Sequence, residues 1–528
     1  MIQSLSRLYR LKLLLLLCTI LVLPQVQAQT KVDLSKLDAY YQKALKDWDV
    51  PGMAIAIVKD DSVVFAKGYG VLDNKKGGQV DANTIFGIAS NTKAYTAAAL
   101  ATLVDAGKIK WKDKVKKYVP NLQLYDPFVT ENLTIEDLLS HRVGFKTFSG
   151  DLLWYNTTYS REEIIHRMRY LKPTYNFRDG YGYSNLMFIT AGQVIENVTG
   201  KSWEAYIKDT FLKPLGMNRT YTSVNDLKGV GNVASPHGFD EQGKPFATTQ
   251  VAWDNWNPAA GIFTSVNQHA QWMRLQLNKG TYKDKRIFSE NASRNMWAAH
   301  NPTPISKKAE EITPSTHFTA AALGWFVSDY EGRKLVYHGG GHEGMNSRTV
   351  LVPEENLGIV ILTNSMSSIM SPLANYTIDQ FLGLTNGRDW SKFNLTAAEQ
   401  AKKAQEKEDD KKVKEKKKAA KPIRDLKEYV GTYRSQLYGD ATITLTNGKL
   451  ELQLVPAPAL GGTLDFWQHE IFNLNWKNNY PLLHPTKVRF LVGEDGSIAE
   501  MRLDSNNPDF HFDELEFVKL KVATSAQR

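Results

Sequence analysis

Apolar residues recur at two periods along this 528-residue chain, and the change of period marks a change of architecture. Leu34, Leu37, Tyr41 and Leu45 fall at helical spacing and predict an amphipathic helix over 33–48, ended by Pro51 and Gly52. Two apolar runs, 53–58 and 62–69, flank Asp60 and Asp61 and predict a β-hairpin that Gly70 closes. Good helix formers fill 90–106 and stop at Gly107. A capping-box-like pattern from Thr134 to Asp137 opens a short helix. Further helices are predicted over 186–198, ended by Gly200, and over 262–277, beginning near Ser265. The stretches 322–328, 333–338, 347–353 and 357–363 read as consecutive strands, and 371–383 as a closing helix. Helices early and antiparallel strands late predict an α/β fold, an antiparallel sheet with flanking helices.

Residues 396–421 break both periods. They are Ala, Lys, Glu and Asp with almost no large apolar side chain, which reads as a solvated helix or a linker. Period two then takes over. Ala441, Ile443 and Leu445 face one way, Asn447 and Gly448 turn, and Leu450, Leu452 and Leu454 repeat the pattern. Asp495 and Gly496 mark another turn. About eight short strands in a barrel or half-barrel are expected over 426–520. The expected organisation is a signal peptide at 1–28, an α/β domain at 29–390, a charged linker at 391–422 and a small all-β domain at 423–521.

The N-terminus changes the picture of where the protein works. Arg7, Arg10 and Lys12 precede an apolar run from Leu13 to Leu23 that is shorter than a membrane span. Val26, Gln27 and Ala28 place small residues at cleavage positions, so a mature start near Gln29 is expected. That pattern is a secretory signal, and the expected location is the periplasm or the medium of a bacterium. A retained anchor is the alternative reading. The one cysteine, Cys18, leaves with the signal, and no disulfide, thiol nucleophile or Cys-metal site then remains.

The net charge of +9 suggests a nucleic-acid partner until it is located. The signal carries three of those charges and 402–421, with ten lysines against five acids, carries five. The rest is close to neutral, so no basic binding face is indicated and no nucleic-acid partner is expected. Membrane contact is not indicated after signal cleavage.

Candidate chemistry sits in three short motifs. Ser90 and Lys93 form an S-x-x-K that places a hydroxyl nucleophile and an amine one helical turn apart. Lys93 serves as a base only when burial or a nearby cation lowers its pKa. Tyr183 and Asn185 supply a phenol that can relay a proton and an amide that can orient Lys93 or a substrate amide. His338 precedes Gly339, Gly340 and Gly341 after an apolar strand, and glycines let backbone N–H groups approach a developing oxyanion. Each motif alone has a plain structural reading: a chance pair, a helix cap, a loop histidine. His338 and His342 lie four apart but not on a helix, and no H-E-x-x-H occurs, so no metal or other cofactor is expected. No G-x-S-x-G occurs either, which argues against an α/β-hydrolase.

Taken together and in order, these segments, with those around His141 and Gly261, resemble the serine β-lactamase and penicillin-binding-protein superfamily, in its class C-like branch of esterases and D-aminopeptidases. The resemblance covers roughly 33–384. It implies Ser90 as nucleophile, Lys93 and Tyr183 sharing the general-base work, and Asn185 supporting substrate and Lys93. It further implies backbone N–H groups of Ser90 and Gly341 as an oxyanion hole, with His141 and Gly261 structural. One departure matters: His338, Gly339 and Gly340 stand where true β-lactamases and many transpeptidases have Lys-Thr-Gly. A neutral histidine holds a carboxylate less well than lysine does. The expectation is therefore an exported serine hydrolase of small D-amino-acid or acyl amides and esters rather than an efficient β-lactamase. The segment from Asp425 to Tyr433 resembles the opening of a lipocalin-like domain appended to such hydrolases. Alternatives are a sensor that acylates without turnover, a non-catalytic binding protein of the same fold, and a surface protein whose 402–421 run contacts anionic polymers. Homo-oligomerisation stays open.

Overall fold

The computed structural model describes residues 32–240, 243–384, 388–414, 424–478 and 480–521. The expected signal segment lies outside these residues. The first helix, α1 (Leu34–Asp47), is capped by Asp33, whose carboxylate accepts from the Ser35 and Lys36 N–H groups. It lies against one face of a nine-stranded antiparallel sheet.

That sheet starts with β1 (Gly52–Lys59), β2 (Ser62–Asp73) and β3 (Gly77–Gln79). Its other six strands are β4 (Asn301–Thr303), β5 (Thr319–Ala321), β6 (Phe326–Tyr330), β7 (Arg333–His342), β8 (Met345–Val352) and β9 (Leu357–Thr363). The order is β4-β5-β6-β7-β8-β9-β1-β2-β3, so the earliest strands join onto the last one. Met53 pairs with Thr363 and Ile55 with Ile361. Strands β1 and β9 read as unbroken apolar runs because both faces are covered. Met53, Ile55 and Ile57 pack with Leu37 and Tyr41 of α1 and with Leu373 and Ile378 of α6 (Met370–Leu382). Ala54, Ala56 and Val58 face the opposite layer, with Trp272 and Met273 of α5 (Val266–Leu277).

Two details differ from the pattern reading. The stretch 322–328 is not one strand: residues 322–325 turn between β5 and β6, with Gly324 at φ +71°. Strand β7 runs on through the glycines to His342, because its ladder with β8 continues: Gly340 opposes Ser347 and Gly341 opposes Asn346.

The helical layer centres on α2 (Thr92–Asp105), which is apolar nearly all round and buried on most of its surface. Helix α3 (Ile135–Leu139) starts with a complete capping box between Thr134 and Asp137. Helix α4 (Asn185–Thr199) starts at the Tyr183 motif and ends at Gly200 in the left-handed region. After the sheet, α7 (Trp390–Lys414) is anchored by buried Trp390, whose indole donates to Asp379 Oδ2 at 2.6 Å.

The C-terminal region is a closed barrel of eight sequential strands, β10 (Gly431–Ser435) to β17 (Phe517–Lys519). Ala441, Ile443 and Leu445 pair with Leu454, Leu452 and Leu450 across Asn447 and Gly448, both at positive φ. Aromatic side chains of Tyr429, Tyr433, Phe472 and Phe490 fill the interior. The barrel is docked on residues 147–150 and on the loop after β7. Glu343 accepts from Leu482 N–H at 2.7 Å, and His511 Nε2 meets Thr147 O at 2.7 Å. Glu514 accepts from Ser149 Oγ at 2.5 Å and Gly150 N–H at 2.8 Å. Among the described residues no helix is long and apolar enough to cross a membrane.

Candidate active site

Ser90 sits in a single 3-10 turn, Ala89–Asn91, that feeds directly into α2. The preceding Ala89 is held at φ +45°, a costly conformation for alanine that aims the next side chain out of the core. The turn is pinned from beneath: Asn91 Nδ2 donates to Ser347 Oγ at 2.8 Å, and Ser347 Oγ donates to Ile88 O at 2.6 Å.

One turn along, Lys93 is completely buried. Its Nζ lies 3.0 Å from Ser90 Oγ, 2.7 Å from Asn185 Oδ1 and 3.0 Å from Ala259 O. Burial lowers its pKa to about 7, against the opposing pull of Asp151. A neutral amine has two N–H groups and one lone pair. The two carbonyl oxygens can only accept, so they take the N–H groups, and the lone pair is left for the Ser90 hydroxyl. The rings of Tyr183 and Phe188 lie 4.8 and 5.3 Å from Nζ.

Asn185 is fixed in orientation by its other end, where Nδ2 donates to Asp151 Oδ2 at 2.6 Å. Asp151 is itself buried, and burial raises its carboxyl to about 8. Burial thus pushes Lys93 and Asp151 toward their neutral forms, while each favours the other's charge. Tyr183 is buried with its hydroxyl at the Ser90 side chain; burial drives its pKa well above 10 and the serine contact opposes that. His141 stacks on Tyr183 at 4.3 Å and accepts from Ser184 N–H, so it supports the phenol from behind.

Across the cavity, His338 is buried and burial lowers its pKa to about 3. Its Nδ1 is 2.5 Å from Gly339 O; a carbonyl only accepts, so Nδ1 carries the proton. Nε2 is therefore a lone-pair acceptor, and among the described residues it has no hydrogen-bond partner. Gly340 makes the close approach possible. A Cβ there would stand 2.4 Å from Ile88 O and 2.8 Å from Ser90 N.

Ser90, Tyr183, Asn185, His338, Gly340 and Gly341 all line one cavity of about 390 Å³, with Lys93 behind Ser90. Gly261 lies outside it, packed on Asn257, where a Cβ would meet Asn257 Oδ1 at 2.3 Å. Sequence reasoning missed Asp151, the Ala259 carbonyl and the barrel residues Leu482, Asp509 and Phe510, which close one side of the cavity. Among the described residues no cluster of three or more His, Cys, Asp or Glu could hold a metal ion.

A buried lysine behind a partly exposed serine, at the start of a helix that packs beside an antiparallel sheet, fits the family resemblance of the sequence. The family model described as Beta-lactamase matches residues 37–382, and a domain of unknown function, DUF3471, matches 415–519. The chain belongs to the Beta-lactamase family and at that level is a serine hydrolase. It is 31% identical over 387 residues to unguisins hydrolase ungD' of Aspergillus campestris, covering 69% of this chain and 68% of that one. It is 28% identical over 355 residues to Protein flp of Staphylococcus aureus, covering 66% of each. Among solved structures, an octameric penicillin-binding protein homologue from Pyrococcus abyssi superposes with TM-score 0.60 at 22% identity, covering 92% of this chain and 100% of that one. SurE superposes with TM-score 0.53 at 17% identity, covering 92% and 99%. These two likenesses concern the fold.

Proposed function

We propose that the protein is an exported serine hydrolase that cleaves small amides or esters through an acyl-Ser90 intermediate. The observation that carries this reading is the bonding of Lys93. Its two N–H groups are committed to Asn185 and Ala259, and its lone pair is left for Ser90 Oγ at 3.0 Å. A pKa of about 7 makes the amine a competent base near neutrality.

In the first step Lys93 takes the Ser90 proton as Oγ bonds to the substrate carbonyl carbon. The backbone N–H groups of Ser90 and Gly341 hold the oxyanion. Tyr183, beside Ser90, gives its hydroxyl proton to the leaving nitrogen or oxygen as the C–N or C–O bond breaks and takes a proton back from the Lys93 ammonium. Water then attacks the acyl carbon, giving up its proton to the same pair, and Ser90 leaves with a proton restored. Asn185 keeps Lys93 in register and donates to the substrate.

His338 supports the preference for small peptide or acyl substrates over β-lactams. A neutral ring offering a lone pair does not hold a carboxylate. Export is supported by the basic start, the short apolar run and the small residues at 26–28.

The test is turnover by mature protein of an activated p-nitrophenyl ester, a D-alanyl anilide and a chromogenic cephalosporin, beside Ser90→Ala. Turnover that depends on Ser90 and ranks ester or anilide above cephalosporin is expected. Equal turnover by Ser90→Ala overturns the nucleophile. A stable adduct without turnover makes the protein a sensor.

A further inference from the structure

The turn between β7 and β8 joins the glycine strand of the site to the barrel. Glu343 occupies it, two positions past Gly341, and Gly344 completes it at φ +75°. The Glu343 side chain is buried. Its Oε1 accepts from Leu482 N–H at 2.7 Å and its Oε2 from the Tyr155 hydroxyl at 3.1 Å. One bond reaches the barrel and the other stays within the α/β domain. Leu482 lines the Ser90 cavity together with Phe510, and Phe510 packs on Tyr155 at 4.1 Å. The carboxyl that pins the barrel is therefore one bond away from the cavity wall.

Among the described residues no cation faces this carboxyl. The titratable groups that do are Tyr155 from the α/β domain and Tyr480 and Asp509 from the barrel. Burial holds Tyr155 well above 10, so it is a neutral donor, and Asp509 repels the ionised form. On the same turn, His342 stacks on Trp253 at 5.3 Å and burial lowers its pKa to about 4. Behind Gly344, His237 is likewise lowered by burial. His484 and His511 act on Asp509 instead. The other interface carboxylate, Glu514, differs in having Lys146 Nζ at 3.8 Å. Burying an ionised carboxyl without a cation is costly. Burial, with Asp509 adding to it, raises Glu343 to about 7, against the opposing pull of the Leu482 N–H and the Tyr155 hydroxyl. Once the barrel loop lifts away, water returns and the carboxyl regains its ordinary acidity. The docked form thus binds the proton more tightly than the open form. Docking gains fully below the ordinary carboxyl range and loses that gain as pH rises through about 7.

We propose that Glu343 is a proton-operated latch: protonated, it holds the barrel loop against the Ser90 cavity, and ionised, it lets that wall loosen. The latch is read without substrate; only its consequence for turnover rests on the acyl-serine reading above. Mature protein is followed by hydrogen–deuterium exchange at about pH 6 and about pH 8.5, with rates corrected for the intrinsic pH dependence of amide exchange. Protection of the Leu482 amide is expected to be about tenfold lower at the higher pH. That is the ratio given over this interval by a carboxyl near 7 when docked and about 4.3 when solvated. The ladder between Phe490 and Met501, inside the barrel, is the control and should keep its protection at both pH values. Glu343→Gln, a neutral side chain of the same shape, is expected to protect Leu482 equally at both. Tyr155→Phe removes a donor that favours the ionised form and should move the transition to higher pH. Equal wild-type protection at both pH values, a loss shared by the control ladder, a pH dependence that Glu343→Gln retains, or no shift in Tyr155→Phe overturns the proposal. The hydrolase reading fails separately, if Ser90→Ala turns over esters as fast as the wild type.

Discussion

Gly340→Ala tests how closely the nucleophile and the β7 backbone depend on each other. In the folded chain a Cβ at 340 would stand 2.4 Å from Ile88 O, 2.6 Å from Ser347 Oγ and 2.8 Å from Ser90 N. Ordinary contact needs about 3.5 Å, so strand and turn must separate by about 1 Å. Neither side yields freely. Ile88 N–H is bonded to Ile262 O at 2.9 Å, and Ile88 O receives the Ser347 hydroxyl at 2.6 Å. Overpacking of this kind costs about 1–3 kcal/mol. The same separation moves the Gly341 N–H away from Ser90, and a displacement of about 1 Å in a reacting constellation costs about 10²-fold in rate. Gly339→Ala is the control, since its nearest neighbour would be Ser347 O at 3.8 Å. The assay is kcat/KM on an activated ester together with thermal unfolding of both variants. The expectation is a loss of about 10²-fold with a lowered Tm for Gly340→Ala, and near wild-type behaviour for Gly339→Ala. Wild-type kcat/KM in a stable Gly340→Ala protein would refute the argument that this contact sets the site.

The remaining predictions follow from the buried charges. Because Lys93 must be neutral to accept the Ser90 proton, and burial lowers its pKa to about 7, kcat/KM should rise with pH through an apparent pKa near 7 and fall away below it; a flat profile between pH about 5 and 9 would contradict this. Asp151 favours the charged amine, so Asp151→Asn should move that limb to lower pH, read from the same profile. Lys93→Met should remove the base and the Asn185 contact together, lowering kcat by about 10²–10⁴-fold with little change in ester KM. Glu343→Ala should leave the Leu482 N–H and the Tyr155 hydroxyl without their acceptor, costing about 1–3 kcal/mol by denaturant unfolding and loosening the barrel from the cavity.

Local patterns in the sequence carried the elements and the first ring of the site. Ser90 and Lys93 are one helical turn apart, so their proximity follows from spacing alone, and the capping box at Thr134 and the turn at Asn447 and Gly448 are likewise local. The pairing of β1 with β9 is not local, and neither is the role of Asp151, which lies in a short 3-10 turn with no pattern to mark it. Ala259 contributes only a carbonyl, which no side-chain motif announces. The strand through Gly339, Gly340 and Gly341 looked like an end of order, because glycine weakens strands; the ladder to β8 holds it extended to His342. The barrel was legible as a barrel, from its alternation. That it supplies Asp509 and Phe510 to the cavity was not, since those residues meet Ser90 across some four hundred positions of chain.

Hydrolysis through Ser90 requires a covalent bond between the acyl group and Ser90 Oγ. Rapid-quench reaction of the wild-type protein with an activated ester, followed by intact mass and peptide mapping, tests it most directly. A transient mass increase equal to the acyl group is expected, located on the peptide containing Ser90 and absent from Ser90→Ala. Turnover with no adduct at any quench time, or an adduct on another residue that Ser90→Ala retains, would contradict it.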